Sequence, residues 1–313
     1  MITILAGGTG AAKFIRGLVE VIPPEEITII GNTGDDVTVW GLHVSPDLDT
    51  IMYLLAGLLD EERGWGIKGD TFACLQAMGR YGEMTWFQLG DRDLATHIER
   101  TKWQNRGLTL TEVTEHLCHS LNVRARILPM SNQRVETRVH TPHGVLSFQE
   151  FFVRDRWSSE VAGVEFHGSD KAQPTPGVLE AMLASEGVII APSNPITSIG
   201  PILAVNGIRQ ALCKTPAPVV AVSPIVGHEA VSGPAGKLMK AYGYEVSALG
   251  VTQIYRDFLD VLILDEHDVA LSADIEALGI RAVKADTIMR HWAAKVGLAK
   301  TALSLLRTSD ANG

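Results

Sequence analysis

The 313 residues are 46% hydrophobic and 20% charged, a globular balance with ample material for a core rather than a disordered one. The 27 basic and 36 acidic side chains leave a net charge of −9, which repels a phosphate backbone and argues against a nucleic-acid partner. Cys74, Cys118 and Cys213 form no CxxC pair, and no apolar run approaches the ~18–20 residues of a membrane helix, so the expectation is a cytoplasmic protein with neither a disulfide framework nor a membrane contact.

In chain order, Met1-Ile2-Thr3-Ile4-Leu5 carries no basic leader and enters a strand at once, ending in Gly7-Gly8-Thr9-Gly10. From Ala11 the apolar residues Phe14, Leu18 and Val21 recur at helical spacing until Pro23-Pro24. Ile27 to Ile30 reads as the second strand and runs into Asn32-Thr33-Gly34-Asp35-Asp36. A strand, a glycine loop, a helix and a second strand form the opening unit of a right-handed parallel sheet. Ser45-Pro46-Asp47-Leu48-Asp49-Thr50 then leads into a helical pattern from Ile51.

Residues 61–125 read as an inserted helical subdomain, with Leu75, Met78 and Tyr81 on one face and Leu110, Val113 and Leu117 on another. Arg134 to His140 and Val145 to Val153 alternate around the turn Thr141-Pro142-His143-Gly144, which predicts a hairpin over about 134–153. Three near-continuous apolar runs follow, Val188 to Ala191, Pro218 to Val222 and Val261 to Leu264, as expected of parallel strands buried on both faces. The fold class is therefore α/β: a Rossmann-like parallel sheet with helices on both faces, built from residues 1–60 and 126–313, plus the helical insertion and the hairpin. Thr308 to Gly313 are expected to fray.

The glycine loop suits phosphate binding, because its backbone can approach closely and a helix N-terminus favours an anion; Lys13 on the first turn would add a point charge. It is not a dinucleotide fingerprint, since Lys13 stands where the third small residue belongs, and no Gly-Lys-Ser/Thr follows to make a Walker A loop. A ligand-free tight turn is the bland alternative. Asp47 and Asp49 suggest a magnesium site facing a diphosphate, although Asp49 is equally readable as a helix cap and Asp35-Asp36 as a turn. In Gly90-Asp91-Arg92-Asp93-Leu94-Ala95-Thr96-His97 the guanidinium could clamp phosphate or could belong to a capping and salt-bridge motif. His116, Cys118 and His119 are a helix face rather than a metal cluster, His140 and His143 flank a turn, and Trp40, Trp65 and Trp86 read as core or pocket wall. There is no Gly-x-Ser-x-Gly elbow.

These segments, with Arg63-Gly64-Trp65-Gly66, Gly69-Asp70-Thr71, Ala191-Pro192-Ser193-Asn194-Pro195 and Ser223-Pro224-Ile225-Val226-Gly227, resemble the 2-phospho-L-lactate transferase (CofD) family in order and over most of the chain. The resemblance implies transfer of a 2-phospholactyl group from lactyl-2-diphospho-5′-guanosine to 7,8-didemethyl-8-hydroxy-5-deazariboflavin, giving coenzyme F-420-0 and GMP. It also implies magnesium dependence, a homodimer, and relatives that use phosphoenolpyruvate-derived donors. The expected assignment places donor phosphates and nucleotide on Gly7, Gly8, Thr9, Gly10, Lys13, Asn32, Ser193 and Asn194. Magnesium falls to Asp47 and Asp49, and the deazaflavin to Asp49, Thr50, Leu89 and Arg92 with Trp86 as wall; Asp49 and Arg92 are the expected catalytic pair. The closest rival is a nucleotide-binding regulator of the related gluconeogenesis-factor group, disfavoured because Val37-Thr38-Val39-Trp40 stands after the paired acids where that group carries Gly-Gly-Ser-Ser. A nicotinamide-dependent oxidoreductase is disfavoured by Lys13 and by the lack of a catalytic dyad.

Overall fold

The computed structural model describes residues 1–307; the expectation for Thr308 to Gly313 lies outside them. Seven strands form the central sheet: β1 (Ile2–Ala6), β2 (Ile27–Gly31), β3 (Arg126–Pro129), β4 (Gly187–Ile190), β5 (Val219–Val222), β6 (Val261–Asp265) and β7 (Arg281–Ala285). Their order is β7-β6-β5-β4-β1-β2-β3 and every pairing is parallel. β1, β2, β4, β5 and β6 are buried along their whole length, which is why they read as continuous apolar runs.

Helices cover both faces. One face packs α1 (Gly8–Leu18), α2 (Pro46–Leu55) and the C-terminal helix Trp292–Arg307 against Ile4, Ile29 and Ile189. The other face receives Leu5, Ile30, Val188 and Ile190 into a second apolar cluster with the chain from 130 to 282. Between residues 61 and 125 lie α3 (Ala73–Arg80), α4 (Asp93–Gln104) and α5 (Leu110–Ser120). Leu110, Val113 and Leu117 of α5 join the same core as β1 and β2. Leu75 of α3 is buried, whereas Tyr81 lies one residue beyond the helix and is 83% exposed, so the apolar face expected there stops short of it.

Two short β elements differ from the sequence reading. The hairpin pairs Glu136–Thr141 with Gly144–Ser147 and gains a third strand, Gly163–His167, while Val153 lies in a π-helical turn, Glu150–Arg154, rather than a strand. Val37–Val39 and Leu42–Val44 form a second hairpin across Trp40-Gly41. Among the described residues no helix is long and apolar enough to cross a membrane.

The strand order reverses between β1 and β4, with β2 and β3 on one side and β5 to β7 on the other. Loops leaving adjacent strands in opposite directions open a crevice at their carboxyl ends, where ligands of open parallel sheets bind. The loops here are Gly7–Gly10 after β1 and Pro192–Asn194 after β4.

Candidate active site

A cleft of about 750 Å³ opens at this reversal point, and Gly7, Gly8, Thr9, Gly10, Lys13, Ser193 and Asn194 all line it. α1 starts at Gly8, whose φ of +70° is a left-handed conformation that favours glycine, and Gly7 stands before it with no side-chain cap. A Cβ at Gly10 would collide with the Pro192 carbonyl, so the two loops touch only because that side chain is absent. The first-turn amides of a helix have no intrahelical partners. One of them is already used: Gly8 N–H donates to Asp47 Oδ1 at 2.8 Å. Asn194 spends its Oδ1 on the amides of Ile196 and Thr197.

Asn32 lies behind this surface rather than on it. Fully buried, its side-chain amide donates to Asp35 Oδ2 at 3.0 Å and to Asp47 Oδ2 at 2.9 Å, so it organises carboxylates rather than lining the cleft. Asp35 Oδ1 accepts no well-formed hydrogen bond, although the Thr137 hydroxyl is near enough to favour its charged form. Burial, then the charge of Asp47, pushes the Asp35 carboxyl well above its usual range. Burial likewise lifts Asp47 to about 6, against the hydrogen bonds from Asn32 and Gly8 that oppose the rise. The two acids share one amide donor.

Asp49 departs from expectation. Asp47 and Asp49 both sit on the first turn of α2, and residues two apart on a helix point to different sides. Asp49 turns into Arg100 of α4, which pairs with both carboxylate oxygens, Nη1 to Oδ2 at 3.1 Å and Nη2 to Oδ1. Arg100 is 1% exposed; burial works to discharge it, but Asp49 outweighs that and holds its pKa above the ordinary value. The carboxylate beside Asp47 is therefore Asp35, not Asp49, and the paired-acid arrangement expected at Asp47 and Asp49 does not form. Ser45 N–H also donates to Asp49 Oδ2.

Behind Asp49 lies a polar cluster of Tyr53 of α2 with Asp93 and His97 of α4, all lining the cleft; the sequence pointed to the Asp93–His97 stretch but not to Tyr53. Tyr53 Oη donates to Asp93 Oδ1 at 2.6 Å. The only sequence signal for the cluster as a whole is the spacing, Asp49 to Tyr53 and Asp93 to His97 to Arg100, which stacks each set on one helix face.

The cleft walls are aromatic. Thr50, Leu89 and Trp86 line the cleft. So do Phe148, Phe152 and Trp157, which stack in series, ring centroids 5.4 and 5.2 Å apart and planes within 9° and 22° of parallel. Arg92 is not on the lining. Its side chain is 56% exposed, donates from Nη2 to the Lys68 carbonyl at 2.6 Å and lies 3.6 Å from Asp70. Cys118 is buried and pushed up to about 12, chiefly by that burial, which removes it as a nucleophile.

The protein-family model described as 2-phospho-L-lactate transferase CofD matches residues 2–300. A 2-phospho-L-lactate transferase of Methanosarcina barkeri is 45% identical over 97% of this chain and 98% of its own length. A phosphoenolpyruvate transferase of Streptomyces griseus is 44% identical, again over 97% of this chain and 98% of its own. Among solved structures, a member of the UPF0052 family from Bacillus halodurans superposes with a TM-score of 0.66, covering 96% of this chain and 98% of that one at 17% identity, a likeness of fold.

Proposed function

The chain belongs to the 2-phospho-L-lactate transferase CofD family, and on that premise we propose that it moves a 2-phospholactyl group from lactyl-2-diphospho-5′-guanosine to the ribityl hydroxyl of 7,8-didemethyl-8-hydroxy-5-deazariboflavin, releasing GMP. The observation that carries this reading is the meeting of an anion-binding helix start with a desolvated carboxylate pair, Asp35 and Asp47, in one cleft with aromatic walls. Phosphoryl transfer asks a protein for positioning and charge neutralisation more than for covalent chemistry.

In this reading Thr9, Gly10 and Lys13 hold the donor's phosphates, with Ser193 and Asn194 at the adjoining strand end. Magnesium fits Asp35 and Asp47: one carboxylate oxygen accepts no well-formed hydrogen bond, both acids are held above their usual range, and a hard cation takes one or two carboxylates together with phosphate oxygens. When bound it would supply positive charge to the diphosphate. Asp49, clamped by Arg100, is a well-fixed acceptor, so it orients the attacking hydroxyl; a loose transition state needs little proton removal in advance. The planar acceptor ring lies against Trp86, Leu89 and Thr50 and against the Phe152–Trp157 stack. Arg92 reaches the transferring phosphate after releasing the Lys68 carbonyl. The protein works as a cytoplasmic homodimer, which light scattering of the purified chain checks.

The similarity of the Streptomyces griseus phosphoenolpyruvate transferase gives a second reading of the transferred group, the enolpyruvyl analogue of the same donor. Purified protein, deazaflavin and magnesium are incubated with each guanosine donor in turn. One GMP per phosphodiester-linked deazaflavin is expected, and the donor with the higher kcat/KM names the group carried on the transferred phosphate. No GMP from either donor at high enzyme overturns the transferase reading.

A further inference from the structure

The cluster behind Asp49 has a defined proton order. A guanidinium only donates hydrogen bonds, and Arg100 Nη1 lies 3.2 Å from His97 Nδ1, so that ring nitrogen is the acceptor and the proton sits on Nε2. Nε2 faces Asp93 Oδ1 at 3.1 Å, a close contact but not linear enough to satisfy it fully. Tyr53 donates to the same Asp93 oxygen; burial and then the charges of Asp49 and Asp93 push the phenol well up, so it remains a donor. His97 is 1% exposed and lies between two carboxylates that would each attract the same cation: Asp49, which pairs with Arg100, and Asp93, which does not.

We propose that His97 is a positioning residue that apportions Arg100 to Asp49 and thereby fixes the rotation of the Asp49 carboxylate toward the acceptor's hydroxyl. The neutral imidazole does this by occupying the space between the acids. It accepts from Arg100, so the guanidinium keeps both of its bonds to Asp49, and it offers its own proton to Asp93. An apolar residue there leaves Asp93 with the Tyr53 hydroxyl alone, two helical turns from Arg100, and a buried carboxylate held by one neutral donor draws the guanidinium toward it across the vacated space. Asp49 then loses its two-point clamp. The assignment of Asp49 to the acceptor rests on the transferase reading above; the proton order does not.

Three variants are compared with wild type. His97→Leu removes both bonds, His97→Gln keeps an acceptor for Arg100 and a donor for Asp93, and Arg100→Lys keeps the charge without the two-point clamp. His97→Leu and Arg100→Lys are expected to lower kcat/KM for the deazaflavin about 10- to 100-fold with the donor KM within about twofold, and His97→Gln to recover most of the loss. In parallel, the ¹⁵N guanidinium resonances of Arg100 in the ligand-free protein should show slow Cζ–Nε rotation in wild type and His97→Gln and averaged signals in His97→Leu. Wild-type acceptor kinetics in His97→Leu, or equal losses in His97→Leu and His97→Gln, overturn the proposal. If His97→Leu does not fold, wild-type acceptor kinetics in Arg100→Lys overturn it. If wild type turns over no donor while the guanidinium contrast holds, the transferase reading fails and the proton order of the cluster stands.

Discussion

Asp47 and Asp49 stand two residues apart on the same helical turn and live in opposite electrostatic surroundings. Asp49 is buried with a buried guanidinium on both of its oxygens. Asp47 is buried beside a second acid, with one amide side chain shared between them and its other oxygen on the Gly8 amide. A carboxyl lifted from 3.8 to about 6 costs on the order of 3 kcal/mol when ionised at neutral pH, at about 1.4 kcal/mol per unit. The Asp47 side thus stores unfavourable charge that a cation would relieve, and the Asp49 side has that relief built in. The first is suited to gather charge during turnover, the second to hold a geometry.

The contrast breaks most visibly at Asp47. Asp47→Asn is expected to lower kcat by roughly 10³-fold, about 4 kcal/mol of transition-state stabilisation, and to abolish the response to added magnesium. Initial rates across a magnesium titration check both. A variant with wild-type magnesium dependence would move the cation elsewhere in the cleft.

Arg100→Met tests the other side, because it leaves Asp49 buried and uncompensated. A destabilisation of about 3–5 kcal/mol in urea unfolding is expected, and Asp49→Asn added to it should recover at least ~1 kcal/mol. Additive losses would show that the pair is not what holds α4 to α2.

Asp35→Asn should do the reverse and stabilise the chelator-treated protein, raising Tm by roughly 2–4 °C per kcal/mol relieved while turnover falls. Asp35 is raised above 3.8 in the folded state, so the folded chain binds the extra proton and wild type loses stability as pH climbs from 3.8 through the raised value. The advantage of Asp35→Asn is therefore absent near pH 3.8, grows through that window and is constant above it. Melting curves at pH 4 and pH 8 that differ equally from wild type would sink the assignment of a strained charge.

Much of this contrast is invisible in the sequence. The parallel strands were legible because β1, β4, β5 and β6 are buried on both faces and leave unbroken apolar runs. The strand Gly163–His167 escaped because only Val164 and Phe166 alternate in it, and Val153 was misplaced because a π-helical turn carries no period-two pattern to reject. The glycine loop and the acids were legible as types. Which acid pairs with which was not, since that depends on α4 lying across α2. Arg100, in a stretch read only as helical, carries no sequence signal that it is buried.

Arg92 sharpens the comparison from outside the cleft. Its backbone is well anchored, because the amides of Arg92 and Asp93 both donate to Asp70. Its half-exposed side chain is held by one carbonyl and by a 3.6 Å contact with the buried Asp70 carboxylate, whose closer partners are the backbone amides of Thr71, Arg92 and Asp93. The guanidinium can therefore leave while Asp70 keeps those bonds and the loop stays in place. If it moves to the transferring phosphate, Arg92→Ala should lower kcat about tenfold with GMP affinity unchanged, because the bond would exist only as charge develops. Arg92→Lys should recover part of the rate, since it restores the charge without the planar fork. An Arg92→Ala enzyme with wild-type kcat returns Arg92 to a surface contact and leaves the transferring phosphate to the glycine loop, Lys13 and the cation at Asp35 and Asp47.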